Sequence, residues 1–251
     1  MTTASTDRLE ELKELFIAKR GYWNDNWQFI LERDPAFFEG YLHVSSYAWD
    51  NGTLSPKEKE FLYIVTVAAV SHIFPPGLHQ HMRNAIGLGA TEDELLTVLQ
   101  IAATVGSQTF LLGVTSIEEV APGASRGHGE ARDANAVRAR HREILGEPSS
   151  AVEAAIEADT SFYERWLNLA AVPFVKPDVM EPKLAHLLAF TAYSSVTQQS
   201  AEGARQHAKA ALDAGATPAE LLEALELTTG MSIHSVTIGL PILFEELRRE
   251  Q

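Results

Sequence analysis

The chain of 251 residues has no cysteine. That excludes disulfides, thiolate–zinc sites and thiol redox chemistry. Basic residues are scarce: 20 Lys and Arg face 34 Asp and Glu, for a net charge of −14 and an isoelectric point near 5.0. A basic stripe to neutralise phosphates is missing, so nucleic acid and anionic membranes are poor partners. No run of about 18 apolar residues is visible, which argues against a transmembrane helix. The first residues, MTTASTDRLEELKELF, lack the apolar stretch of a secretory leader, so a cytoplasmic location is expected. Gly-x-Gly-x-x-Gly, P-loop and Gly-x-Ser-x-Gly motifs are also missing, which leaves nucleotide and serine-hydrolase chemistry without a foothold. What remains is an ordinary globular composition, 45% hydrophobic and 22% charged, with an ample core for one or two domains.

Period-two alternation is rare, and helix signals are frequent. Ser55-Pro56-Lys57-Glu58 reads as an N-cap, Pro at N1 and Glu at N3. It predicts a helix over 56–72, apolar on every side and therefore central. Gly89 can end a helix in the left-handed conformation, and Thr91 with Glu94 makes a capping box for the next, near 92–105. Further helices are expected over 7–19, 22–33, 35–50 and 133–146. PGASRGHGE, from Pro122 to Glu130, reads as a linker.

Shifting the sequence by 126 residues aligns GLHQHMRNAIGLGATEDELLTVLQ, from Gly77, with GARQHAKAALDAGATPAELLEALE, from Gly203. Gln80 meets Gln206, His81 meets His207, and Gly89, Thr91 and Glu94 meet Gly215, Thr217 and Glu220. With a one-residue slip, PAFFEGYL echoes TSFYERWL. This is an internal duplication. Capping boxes and core leucines explain much of it structurally; the paired histidines are not needed by a corner or a core. The expected organisation is residues 1–120 with the first repeat, 121–150 as linker and connecting helix, and 151–251 as the second repeat.

The long apolar helix, the His ten residues before a Gly-x-Thr corner and the amphipathic helix after it resemble the carboxymuconolactone decarboxylase family. That family also holds the alkylhydroperoxidase D-like proteins. The resemblance covers roughly 35–118 and 160–247. It implies an all-α fold with pseudo-twofold pairing of two repeats, frequent oligomers and a small cavity near the motif His. The peroxidase branch carries a Cys-x-x-Cys pair where this chain has Phe74 and Gly77, and again Ser200 and Gly203, so thiol-dependent peroxide reduction is unavailable. The stretches HIFPPGLHQ and QQSAEGARQ also depart from the polar, acidic approach of the decarboxylase branch. Two-repeat members with His-x-x-x-Pro-Gly-Leu-x-x-His are the nearer likeness.

Five residues are the candidate catalytic set. His81 and His207 each lie on a helix face with apolar neighbours, where imidazole either moves protons near neutral pH or sits as a satisfied core residue. His72 ends the buried helix, before the Pro75-Pro76 bend, where it could equally interact with the helix dipole. Glu226 and His234 belong to the second repeat, and Gln100 and Gln108 stand at the equivalent places in the first. A composite site is therefore expected, with unequal roles for the repeats. No compact metal spacing is present, and no cofactor is implied.

Two functions stay open. One is a cofactor-free acid/base enzyme that decarboxylates or isomerises a small carboxylated or lactone-type metabolite. The other is a non-catalytic oligomeric binding or scaffold protein that retains the fold. An enclosed pocket lined by His81 or His207 with convergent polar groups would favour the enzyme. A homo-oligomer, with a trimer favoured, is expected because the apolar helices need partners.

Overall fold

The computed structural model describes residues 6–123 and 133–249. Most of the linker expected at 122–130 lies outside them. Fourteen α-helices run in chain order among the described residues, with no strand among them: α1 (Thr6–Arg20), α2 (Asp25–Arg33), α3 (Pro35–Asn51), α4 (Pro56–Val67), α5 (Pro75–Gly87), α6 (Glu92–Thr104), α7 (Ser107–Val120), α8 (Ala134–Leu145), α9 (Ser150–Ala158), α10 (Thr160–Ala170), α11 (Pro182–Ser194), α12 (Ala201–Asp213), α13 (Pro218–Thr229) and α14 (His234–Arg249). The fold is all-α, as the sequence pattern implies. Contacts divide the chain into two compact units, residues 1–52 with 229–251, and residues 53–228.

The smaller unit joins α1, α2 and α3 to α14 and the 3-10 turn Gly230–Ile233. Its core gathers Leu12, Phe16, Trp27, Phe38, Leu42 and Leu240. Asp34 does two jobs at one corner: its backbone N–H closes α2 on Ile30, and its carboxylate accepts from Phe37 N to start α3.

The larger unit is built around α4 and α11, which pack on each other; α4 also meets α5 and α6, and α11 meets α12 and α6. All nine residues from Lys59 to Val67 are buried, as are all nine from Ala185 to Tyr193. The helix expected over 56–72 stops at Val67. Residues 68–74 form turns, with Phe74 N bonded back to the Val67 carbonyl, and Pro75-Pro76 then open the next helix at N1 and N2, where a missing N–H costs nothing.

The two halves of this unit share local devices. Both α5 and α12, and both α6 and α13, begin 126 residues apart. Gly89 and Gly215 both take positive φ, +86° and +96°, the conformation a Cβ disfavours. Thr91 with Glu94 and Thr217 with Glu220 make the expected capping boxes. Lys57 reaches Glu94 at 2.8 Å and Lys183 reaches Glu220 at 2.9 Å.

Two helical stretches, 92–120 and 218–249, are long and apolar enough by length and composition alone to cross a membrane. The sequence reading anticipated none. The stretches arise because α6 continues almost directly into α7, and α13 into α14, so shorter apolar segments add up. A buried core helix passes the same test.

Candidate active site

Residue Glu60 sits in the second turn of α4 and is 5% exposed. Its carboxylate approaches His81 Nδ1, on α5, at 2.7 Å. The other carboxylate oxygen accepts from Asn84 Nδ2 at 3.0 Å. Asn84 is held in turn by Gln80 at 2.8 Å, and Gln80 by Arg83 at 3.1 Å. Tyr63, one turn beyond Glu60 on α4, stacks on the imidazole with ring centroids 4.5 Å apart and planes at 24°. A buried carboxylate, a braced amide and an aromatic wall thus fix the ring. Donation from Nδ1 to Glu60 leaves Nε2 as the ring nitrogen that does not face the carboxylate, a geometry that a carboxylate-oriented general base would also have. The His81 side chain is 19% exposed, so that atom's ring stays at the edge of the unit and not in its core.

The equivalent place in the second repeat is built differently. Position 186, 126 residues after Glu60, is histidine. His186 Nδ1 and His207 Nδ1 lie 3.2 Å apart. Phe174 stacks on both rings, and Tyr193 stacks on His207. Burial pushes the pKa of His186 down to about 4 and that of His207 to about 3. Both rings are neutral, so one Nδ1 donates and the other accepts. A cavity of about 40 Å³ adjoins His207, with Ser107, His141, Tyr163 and Trp166 in its walls. His141 is also pushed down to about 4 by burial.

Of the five residues expected from sequence, His81 and His207 therefore occupy structured polar sites, each with its own partner. His72 lies half-buried in the turn after α4, and burial lowers its pKa. Glu226 is exposed on α13 and joins neither histidine. The buried carboxylate of that helix is Glu223, three residues earlier, which accepts from Thr53 N at 2.7 Å, from Leu54 N at 3.1 Å and from Lys59 at 3.2 Å. It fastens the start of α4. His234 opens α14 in the smaller unit. Gln100 accepts from Lys176 at 3.3 Å, and Gln108 lines the His207 cavity, where it accepts from Ser200 at 2.8 Å.

Sequence reasoning missed Glu60, His186, His141 and Tyr163. A signal existed for the first two. Glu60 and His186 are polar residues in otherwise apolar buried helices, at one position of the 126-residue repeat. His141 and Tyr163 have no such mark; only the packing of α8 on α10 brings them together.

Residues 35–111 match the model of the carboxymuconolactone decarboxylase family. This segment holds Glu60, Tyr63, His81 and Asn84. No curated protein matches the chain. The whole chain is similar to the crystal structure of a protein described as a candidate gamma-carboxymuconolactone decarboxylase subunit from Burkholderia xenovorans. The likeness covers 100% of both chains, with 25% identity and a TM-score of 0.84. The family match covers residues 35–111, and the full-length likeness extends over both chains.

Proposed function

We propose that the chain is a cofactor-free acid/base enzyme whose centre is His81, oriented by Glu60, and that it decarboxylates or isomerises a small carboxylated or lactone-type metabolite. The observation that carries this reading is the 2.7 Å Glu60–His81 contact with Nε2 left over. In decarboxylation the bond from carbon to the carboxylate breaks, carbon dioxide leaves, and the electron pair spreads into an adjoining carbonyl as an enolate. A proton must then reach carbon. His81 Nε2 in its imidazolium form delivers it, and Glu60 holds the compensating charge beside the ring. Isomerisation uses the same atom twice, first removing a proton from carbon and then returning it.

We also propose that the two halves of the larger unit descend from one duplicated unit, and that the protein is a homo-oligomer, with a trimer favoured. Support for association comes from large apolar side chains left at the surface, such as Leu112 at 70% and Val120 at 83% exposure.

The direct test is turnover of gamma-carboxymuconolactone and of related small lactone acids by the wild-type protein, His81→Ala and Glu60→Gln. Activity that survives His81→Ala unchanged would remove the proposal. Activity lost in both variants at unchanged melting temperature supports it.

A further inference from the structure

Hydrogen-bond directions around the second-repeat cavity follow from the fixed groups at its edge. Gln206 Nε2 lies 2.9 Å from the Leu145 carbonyl and 3.1 Å from His141 Nε2. The carbonyl only accepts, so the atom facing it is the amide nitrogen, which only donates. His141 Nε2 is therefore an acceptor. The ring is neutral, with its pKa held near 4 by burial, so its one N–H proton is on Nδ1. That nitrogen lies 2.8 Å from the Tyr163 hydroxyl. The tyrosine oxygen accepts, and its own hydrogen is left without an acceptor among the described residues. Tyr163 is 3% exposed, and burial pushes its phenol pKa up, so the hydrogen stays on. An unsatisfied donor at such depth is costly.

The opposite polarity is fixed nearby. Tyr193 Oη donates to the Thr104 carbonyl at 2.9 Å. The Ser107 hydroxyl, 2.9 Å from Tyr193 Oη, must then donate to it. That leaves the lone pairs of Ser107 open. Tyr163 and Ser107 both line the cavity, with Trp166 and Phe174 as apolar walls. Among the described residues no Lys or Arg lines it, and the one acid in its wall is the half-buried Glu202. The cavity's 40 Å³ admits about two or three water-sized centres, or a molecule of roughly four non-hydrogen atoms.

We propose that this cavity is a binding site for a small neutral molecule with a carbonyl and an N–H or O–H, a primary amide being the simplest. Tyr163 donates to its carbonyl oxygen, and Ser107 accepts from its N–H. A carboxylate finds no cation here and meets Glu202. An ammonium ion offers no acceptor to Tyr163. The site is separate from the Glu60–His81 centre and does not depend on the reaction proposed for it.

Three small probes of different charge type test this: acetamide, acetate and ethylammonium, each titrated at neutral pH and constant ionic strength into protein with 15N-labelled histidine. Ligand efficiency limits a four-atom ligand to a dissociation constant of about 4 × 10⁻⁵ M at best, and an ordinary fit falls well short of that ceiling, so millimolar saturation is the expected range. Acetamide should shift the His141 ring nitrogens saturably, and acetate and ethylammonium should not. Tyr163→Phe should weaken acetamide at least about tenfold while keeping a cooperative melt. A saturable response to acetate as strong as that to acetamide would overturn the proposal, as would acetamide binding that Tyr163→Phe leaves intact, or no saturation by about 100 mM. If Tyr163→Phe fails to fold, the wild-type spectrum decides: His141 must carry its proton on Nδ1, and an Nε2–H tautomer refutes the assignment.

Discussion

Positions 60 and 186 stand at the same place in the two halves of the larger unit, one turn into helices that are buried all round. One holds a glutamate and the other a histidine. With Glu60 opposite, His81 gains a permanent acceptor, a fixed tautomer and a free Nε2 at the protein's edge. With His186 opposite, His207 gains a neutral partner, is 4% exposed, and is driven far from protonation. One half thus pairs its histidine with a carboxylate and the other with a second neutral imidazole. On the function proposed above, the residue across from each histidine on the neighbouring helix is what separates their roles.

The largest expected effect separates the two histidines by what they lose. His81→Ala should lower turnover by about 10²–10⁴-fold, the range for losing a general acid/base, with little change in melting temperature. His207→Ala should instead destabilise by about 1–3 kcal/mol, since it removes a packed ring and leaves His186 without its partner. Turnover and melting measured on both variants check the contrast. Equal loss of stability with equal activity would mean that both are core residues.

Acid should act chiefly on the second half. The folded pKa values of His141, His186 and His207 are depressed to about 4, 4 and 3, while the unfolded value is about 6.5. Between those values the unfolded chain binds more protons than the native one, so stability rises with pH there. Their contribution is full above about pH 6.5 and is lost as pH falls toward 4. One pKa unit corresponds to about 1.4 kcal/mol, so even a single histidine displaced by two units costs about 3 kcal/mol. Chemical denaturation at pH 7, 6, 5 and 4 should show a steep decline, and His207→Gln should flatten it. A flat wild-type profile down to pH 4 would mean that these rings are protonated in the fold.

The sequence carried the helices and the corners because their signals are local. Ser55 with Glu58, Thr91 with Glu94, and Gly89 can be read within four residues, and the structure uses each as read. It also pointed to His81 and His207 through the repeat. It missed the partners because partner choice is a property of helix packing: Glu60 and His81 are 21 residues apart, and His141 meets Tyr163 across 22. Glu226 misled for a related reason. A carboxylate bordering an apolar face can turn to solvent, whereas Glu223, one turn away, accepts from the N–H groups of Thr53 and Leu54.

Glycines at the start of α5 and α12 sharpen the comparison at a smaller scale. A Cβ at Gly77 would stand 2.6 Å from the Phe74 ring, and one at Gly203 would stand 2.5 Å from the Tyr193 ring. Phe74 is half-buried and can give way. Tyr193 is held by Ser107, the Thr104 carbonyl and the His207 stack. Gly203→Ala should therefore destabilise by about 1–3 kcal/mol, and Gly77→Ala by less. Denaturation midpoints for the two variants, measured side by side, give the order; a larger cost at Gly77 would mean that the Tyr193 cluster is the looser one.

The smallest expected effect is one in which the halves should not differ. Lys57–Glu94 and Lys183–Glu220 join equivalent helices at 2.8 and 2.9 Å, and their side chains are about equally exposed, 32% and 17% against 27% and 12%. Each glutamate also accepts from the backbone of its capping threonine, so its position is fixed whether or not the lysine is present. The ordering cost of forming the pair then falls mainly on the lysine. Solvent screening keeps such partly exposed pairs at about 0.2–1 kcal/mol. Double-mutant cycles with Lys→Met and Glu→Gln at each pair should return coupling energies that agree within about 0.5 kcal/mol. Agreement would show that the two halves share their framework energetics and diverge only where Glu60 faces His81 and His186 faces His207. A coupling present in one half and absent in the other would place the divergence in the framework itself, and the contrast between the histidines could then no longer be assigned to their partners alone.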